Sequence, residues 1–241
     1  MTQAVDLLAI AAHRDDVELT CGGTLAKAAR AGHVVGILDL TQGEAGTRGD
    51  AATRAAEAER AATVLGVRVR LNAELPDAHL HNDEPSRQRV VALLRELRPR
   101  VVILPYPLGR HPDHRVAAEL GRDACYLAGL AKYPGGGGQP HRPVKILHAL
   151  AYREDPVKPS FVVDISETFE VKMAAIRCYA SQFEGATAAG EIFATGGGLY
   201  DLVRIQSAHY GSLIRTAYGE PYITFETVEV DDVVRLGVSS L

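Results

Sequence analysis

Short apolar runs alternate with amphipathic segments along the first half of the chain. Each apolar run is continuous and ends in a polar stretch, which is typical of a buried strand. The predicted strands are residues 7–12, 34–40, 67–71 and 101–104. Apolar positions at helical spacing predict helices over residues 25–30, 51–65, 86–98 and 115–130. This order predicts an α/β fold, a Rossmann-like three-layer sandwich in which a mostly parallel central sheet has helices on both faces.

The pattern becomes less regular after Tyr133, where four consecutive glycines begin at Gly135. We expect strands over residues 146–152, 161–165 and 222–225, and helices over residues 167–179 and 199–218. Ser166 is a candidate N-cap for the first of these helices. The glycine-rich segments 134–140 and 196–198 are candidate linkers or lids. We expect one domain over residues 1–241, with the Rossmann-like core in residues 1–133 and a C-terminal elaboration in residues 134–241.

The composition is that of an ordinary globular protein, with 46% hydrophobic and 23% charged residues. A net charge of −4 gives no basic excess to neutralise phosphates, so we expect a small-molecule substrate and no nucleic acid. Cys21, Cys125 and Cys178 are too few and too scattered for a disulfide framework or a cysteine zinc site. The sequence carries no pattern of a signal peptide or a bilayer span, so we expect a cytoplasmic protein that does not bind membranes.

Candidate chemistry begins where the first predicted strand ends, at His13, Asp15 and Asp16. The ligand crevice of an open parallel sheet lies outside the carboxyl ends of its strands. Histidine and aspartate are suitable ligands for a divalent ion, and a second carboxylate beside them can act as a base. Alternatively, His13 simply ends the strand and the aspartates cap the next helix.

A second polar cluster leaves the fourth predicted strand in the same way, through His111, Asp113 and His114. Both clusters project from one edge of the sheet, so we expect them to converge. His13, Asp16 and His114 then form a two-histidine, one-aspartate set that leaves a position open for water, as in catalytic zinc sites. The alternative is that His111 and His114 are helix N-terminal residues with local hydrogen bonds.

Other reaction types have less support in the sequence. There is no Gly-x-Ser-x-Gly motif, and Cys21 has no histidine partner nearby in the chain. The pair Gly22-Gly23 is not a dinucleotide-binding motif, and we expect it to allow close packing of a helix. Arg48 and Arg110 are candidates for binding an anionic substituent such as malate, with a salt bridge inside the loop as the alternative.

These motifs together resemble a known family. Residues 12–18 (Ala-His-Arg-Asp-Asp-Val-Glu) and 110–114 (Arg-His-Pro-Asp-His) are similar to motifs of the zinc-dependent N-acetylglucosamine deacetylases of the PIG-L/LmbE superfamily. The segment 39–49 (Asp-Leu-Thr-Gln-Gly-Glu-Ala-Gly-Thr-Arg-Gly) resembles the bacillithiol-biosynthesis branch, whose substrate is N-acetylglucosaminyl malate. Further similar stretches extend the resemblance over nearly the whole chain, and they lie in residues 54–57, 75–77, 128–133, 161–166 and 179–183.

The resemblance implies a role for each matched residue. His13, Asp16 and His114 would bind Zn²⁺, with Fe²⁺ as the alternative metal in the cell. Asp15 would be the general base, His111 would stabilise the oxyanion, and Asp113 would orient His111. The implied substrate contacts are Glu44, Arg54 and Asp77, and Arg110 is the candidate for the malate carboxylate. The resemblance also implies a homo-oligomer, often a hexamer.

One residue departs from the family pattern, because Arg14 stands where the family usually has proline. An added cation beside two carboxylates would lower the basicity of Asp15.

Three rival functions stay open at this point: deacetylation of another N-acetyl sugar, cleavage of a thiol-conjugate amide, and sugar binding without turnover.

Overall fold

A computed structural model of the chain describes residues 4–134, 137–150, 157–184 and 198–238. Its strands are β1 (Leu7–Ala11), β2 (Val35–Thr41), β3 (Val69–Leu75), β4 (Val101–Pro105), β5 (Lys145–Ala149), β6 (Phe161–Asp164) and β7 (Gly219–Ile223). In the described ranges they form one sheet of seven strands in the order β3-β2-β1-β4-β5-β7-β6. The first five strands are mutually parallel, and β7 runs antiparallel to both of its neighbours.

The helices lie on the two faces of this sheet. They are α1 (Asp16–Arg30), α2 (Ala51–Leu65), α3 (Glu84–Leu97), α4 (Pro112–Ala128), α5 (Phe169–Arg177), α6 (Ala180–Phe183) and α7 (Leu199–Leu213), followed by a 3₁₀ turn at Val233–Arg235. Among the helices of the described ranges, none is long and apolar enough to cross a membrane.

The alternation of side chains along β1 builds a core on each face of the sheet. Leu8 and Ile10 pack with residues of α3 and α4, whereas Ala9 and Ala11 pack with residues of α1, α2 and α5. A strand that is buried on both faces reads as a continuous apolar run, which is why these strands stand out in the sequence. The predicted α/β sandwich with a mostly parallel sheet is confirmed.

The two helices that follow the polar clusters begin earlier than the sequence pattern predicts. Helix α1 begins at Asp16 instead of residue 25, and α4 begins at Pro112 instead of residue 115. Both starts suit a helix N-terminus, because an aspartate there faces the positive end of the helix dipole and proline needs no hydrogen-bond partner in the first turn. The two polar clusters are therefore strand-to-helix junctions and not free loops.

The bounds of the C-terminal elements differ from the prediction. Ser166 is not the N-cap of α5, because its N–H and hydroxyl both donate to Asp164 Oδ1 in a turn, and α5 starts after Thr168. Helix α7 ends at Leu213 and not at residue 218, before the left-handed Arg215 (φ 62°), and β7 spans Gly219–Ile223 in place of residues 222–225. The predicted strand end at 151–152 and the glycines 135, 136, 196 and 197 lie outside the described residues.

The order of the strands fixes where a site can form. Strand β1 pairs with β2 on one side and β4 on the other, and Ala9 lies beside Ile103. The chain crosses from β1 to β2 in one direction and reaches β4 in the other, so the crevice between the ends of β1 and β4 is the topological switch point.

The two glycines of α1 should respond in opposite ways to alanine. A Cβ on Gly23 would lie 2.8 Å from Ile165 Cδ1, whereas a Cβ on Gly22 would make ordinary contacts, the shortest 3.6 Å to Lys172 Cγ. We expect Gly23→Ala to lower the free energy of unfolding by about 1–3 kcal/mol through overpacking. Gly22→Ala should raise it by roughly 0.5–1 kcal/mol because alanine favours the helix.

Equilibrium urea unfolding of the two variants beside the wild type measures this difference. Each variant is the other's control, since the two positions are adjacent in one helix. Equal effects of the two substitutions would contradict the assigned packing of α1 against Ile165.

Candidate metal centre

Three histidines from two parts of the chain meet at the switch point. His13 follows β1, His111 is the N-cap of α4, and His114 lies in the first turn of α4. The ring centroid of His13 lies 4.9 Å from that of His111 and 5.4 Å from that of His114. The predicted convergence of the two clusters is therefore present in the structure.

Asp16 lies between two of these rings. Its Oδ2 is 3.2 Å from His13 Nδ1, and its Oδ1 is 3.1 Å from His114 Nε2. The three side chains can each offer one donor atom within 4.8 Å of the others, and their exposed fractions are only 13–21%. Two imidazole nitrogens and one carboxylate oxygen at this spacing suit a divalent ion that keeps an open coordination position.

Two further carboxylates hold His13 from its other side. His13 Nε2 lies 3.2 Å from Asp77 Oδ1 and 3.3 Å from Asp113 Oδ2. Nε2 of His13 thus lies on carboxylates, while Nδ1 faces Asp16. Metal-binding histidines are usually oriented in this way, with one ring nitrogen hydrogen-bonded to a carboxylate and the other turned to the metal. Burial lowers the pKa of His13, but the charge of Asp16 and hydrogen bonds to Asp113, Asp16 and Asp77 raise it to about 12. The site thus has an excess of negative charge, which a bound cation would balance.

Asp15 stands beside this set and faces a different partner. Its Oδ1 lies 3.4 Å from Nη2 of Arg54. Burial raises the pKa of Asp15, Arg54 lowers it, and the neighbouring Asp16 raises it again, so the net direction is upward. A largely buried carboxylate with a raised pKa is a suitable proton acceptor near neutral pH.

His111 is held in one tautomer by the backbone. Its Nδ1 accepts a hydrogen bond from the N–H of Asp113 at 3.2 Å, so the proton of the neutral ring lies on Nε2. Burial, followed by the charges of His114 and His13, lowers the pKa of His111. The ring is therefore a neutral hydrogen-bond donor. The carboxylate of Asp113, for which the resemblance implies the role of orienting His111, lies on His13 and accepts from the N–H of Ala78 (2.9 Å), whereas the contact of Asp113 with His111 is made by its backbone N–H.

The implied substrate contacts divide into buried and exposed groups. Arg54, 4% exposed, donates to the carbonyl of Gly43 at 2.7 Å, and Asp77, 8% exposed, accepts from the N–H of Ala45 at 2.9 Å. Both side chains therefore hold the backbone of the loop between β2 and α2. Glu44 is exposed and accepts from the N–H of Asp77 at 2.8 Å.

The two candidate anion-binding arginines differ in their surroundings. Arg48 donates to the carbonyl of Glu184 at 2.9 Å, which ties the loop to the segment after α6. Arg110 is exposed and directly precedes His111 in the chain. Of the two, Arg110 is the one next to the histidines.

Sequence reasoning missed a buried polar network that holds the backbone of the site. Arg70 pairs with Asp39 (2.8 Å) and Glu18 (2.6 Å), and both Arg70 and the hydroxyl of Tyr179 donate to the carbonyl of Arg14. Glu18 is fully buried, and burial raises its pKa to about 7 in spite of Arg70. The only signal in the sequence is a set of charged residues inside otherwise apolar runs.

The side chain of Arg14 points away from the carboxylates. Its Nη1 donates to the carbonyl of Ala51 at the start of α2, at 2.7 Å. The cation that faces Asp15 is Arg54. Arg14 therefore makes no direct contact with Asp15 in the structure through which it could lower the basicity of that carboxylate.

Comparisons with known proteins agree with the geometry. The PIG-L family model, GlcNAc-PI de-N-acetylase, matches residues 8–125. The chain is 34% identical over 191 residues to a diacetylchitobiose deacetylase of Thermococcus kodakarensis, which covers 73% of this chain and 70% of that protein.

Two further proteins extend the comparison. The chain is 34% identical over 165 residues to the 1D-myo-inositol 2-acetamido-2-deoxy-alpha-D-glucopyranoside deacetylase of Rhodococcus jostii, covering 54% of this chain and 56% of that protein. It thus spans only about half the length of that relative. The crystal structure of the conserved protein TT1542 from Thermus thermophilus superposes with a TM-score of 0.84 at 36% identity, covering 94% of this chain and 98% of that one.

Proposed function

The chain belongs to the PIG-L family, and from this membership we propose that it is a metal-dependent hydrolase that removes the acetyl group from an N-acetylglucosaminide. The observation that carries the proposal is the meeting of His13, Asp16 and His114 at the switch point, with Asp15 beside them. A carboxylate next to a metal-binding set suits hydrolysis of an unactivated amide, because the ion can activate water and the carboxylate can accept its proton.

The metal proposed for this site is zinc, with iron(II) as the alternative. The support is chemical, since two imidazoles and one carboxylate suit either ion. When bound, such an ion polarises the amide carbonyl and makes water a stronger nucleophile at neutral pH.

The residues around the ion carry the proton transfers. Asp15 accepts a proton from the attacking water and then delivers it to the nitrogen of the leaving amine. The Nε2–H of His111 donates to the carbonyl oxygen as negative charge develops there. Asp77 and Asp113 keep the ring of His13 in position. The products are acetate and the free amino sugar.

The proposed substrate is N-acetylglucosaminyl malate, the substrate of bacillithiol biosynthesis. Two features support it: the resemblance of residues 39–49 to that branch, and the exposed Arg110 directly before His111. A guanidinium group binds a carboxylate with two parallel hydrogen bonds, and malate supplies such carboxylates. Diacetylchitobiose and the inositol glucosaminide, which the relatives' names give as their substrates, are the alternatives.

Arg110→Ala separates these substrates by charge. We expect it to lower kcat/KM for N-acetylglucosaminyl malate about 10- to 100-fold, mostly through KM, because a charge-assisted contact is lost. Turnover of the uncharged diacetylchitobiose should stay within about twofold, because that sugar offers the guanidinium no carboxylate. Acetate release with both substrates measures the effect, and Arg30→Ala, a change far along α1, is the matched control.

A malate preference that survives Arg110→Ala would contradict the role of this arginine. A wild type that releases acetate faster from diacetylchitobiose would assign that substrate instead, and the hydrolytic site would stand.

A further inference from the structure

A small cavity opens beside the metal-binding set. Asp16 and His114 are among its lining residues, and we call four of its buried apolar lining residues its floor: Val17, Cys21, Ile103 and Ala149. Its volume is about 20 Å³. That is little more than one water molecule needs.

The floor of this cavity is apolar and rigid. Its four floor residues are only 1–3% exposed and belong to the core cluster between the sheet and α1. Close-packed interiors of this kind yield little when one more methylene is forced into them. The cavity therefore suits one apolar group of methyl size.

The shape of an amide determines which group faces this cavity. When the carbonyl lies at the metal-binding set, one of its substituents is the nitrogen that carries the sugar. A sugar ring is far too large for about 20 Å³, so it must lie outside the cavity. The remaining substituent, the acyl chain, then points to the floor residues.

We propose that this cavity is the acyl pocket of the enzyme, and that Ile103 and its neighbours restrict the substrate to N-acetyl groups. The inference rests on the proposed function and deepens it, since it names the acyl class that the site accepts. The pocket excludes propionyl and longer chains by size.

A second cavity shares a lining residue with the first. It also has a volume of about 20 Å³, and Leu19, Leu150 and Gln206 are among its lining residues. Thr20 lines both cavities. Shortening Thr20 should join them and make room for a longer acyl chain.

The test compares N-acetyl, N-propionyl and N-butyryl forms of the same glucosaminide. For the wild type we expect kcat/KM to fall about 10- to 200-fold with the first added methylene. Ile103→Val removes one methylene from the floor and should raise the propionyl-to-acetyl ratio about 10-fold. Thr20→Ala should raise the butyryl-to-acetyl ratio of kcat/KM. This variant provides an independent test if Ile103→Val folds poorly.

Gln206→Ala is the matched control, because it enlarges only the second cavity. Its acyl ratios should equal those of the wild type. Comparable rates for all three acyl forms in the wild type, or unchanged ratios in both pocket variants, would overturn the proposal while the deacetylase function stands.

A measurement of carboxylate binding tests the proposed pocket independently of turnover. Acetate, propionate and butyrate are titrated into the wild-type protein and Ile103→Val by protein-observed NMR, with resonances of the floor residues as the readout. We expect the wild type to bind acetate more tightly than propionate, and Ile103→Val to reduce that difference. Equal binding of the three anions would overturn the pocket, whereas preferential acetate binding without hydrolysis of any acyl sugar would reject only the proposed function.

Discussion

Replacing Asp15 with asparagine should lower kcat about 10²- to 10⁴-fold while the protein keeps its metal. Asparagine has nearly the same size, and its amide oxygen still accepts from Arg54, but it cannot take up a proton. The expected loss is the range found when a general base is removed. Metal content should not change, because the three proposed donors are His13, Asp16 and His114.

Acetate release under saturating substrate and elemental analysis of the same sample measure both effects. Asp50→Asn is the matched control, since Asp50 is another aspartate at a helix start and asparagine caps equally well. A variant at Asp15 that retains more than about a tenth of the wild-type kcat would remove this residue from the role of base.

The second large effect is expected from His114→Ala, which should lose the metal. Removing partners that only orient a ligand costs about 10- to 100-fold in metal affinity, so the loss of a direct ligand should exceed about 100-fold. The matched variant is His111→Ala, because the two rings are stacked with centroids 4.9 Å apart. We expect His111→Ala to keep the metal and to lower kcat about 10²- to 10³-fold, as for a lost oxyanion donor.

Metal titration of both variants, followed by acetate release, distinguishes the two roles. Loss of metal from His111→Ala together with its retention in His114→Ala would reverse the assignment of the two histidines. That outcome would point to another group of the described residues that has suitable spacing, namely His13, His111 and Asp113.

The sequence predicted the sheet and the meeting of the two clusters for a simple reason. Strands buried on both faces are continuous apolar runs, and polar residues after them must gather at one edge. The bounds of α2, Ala51–Leu65, also agree with the prediction, because Asp50 and Gly66 mark its two ends. Where the polar motif itself begins a helix, as at Asp16 and Pro112, the apolar pattern starts too late to show it.

The side-chain contacts inside the site could not be predicted from the sequence. Periodicity gives the face on which a side chain lies but not which distant residue it contacts. Asp77 and Asp113 both lie on His13, and Arg70 on β3 reaches Glu18 in α1. These contacts depend on pairings across 52 to 100 positions of the chain, which sequence spacing does not specify. The domain division at residue 133, the homo-oligomer and the cytoplasmic location stay predictions.

The central claim is that one bound metal ion makes this chain a deacetylase of an N-acetylglucosaminide. Its most direct test is to strip the wild-type protein of metal, titrate Zn²⁺ back, and follow metal content and acetate release from N-acetylglucosaminyl malate in the same samples. We predict that activity rises in proportion to occupancy and saturates at one ion per chain. Acetate release that is independent of metal, or a protein that binds no ion, would contradict the claim.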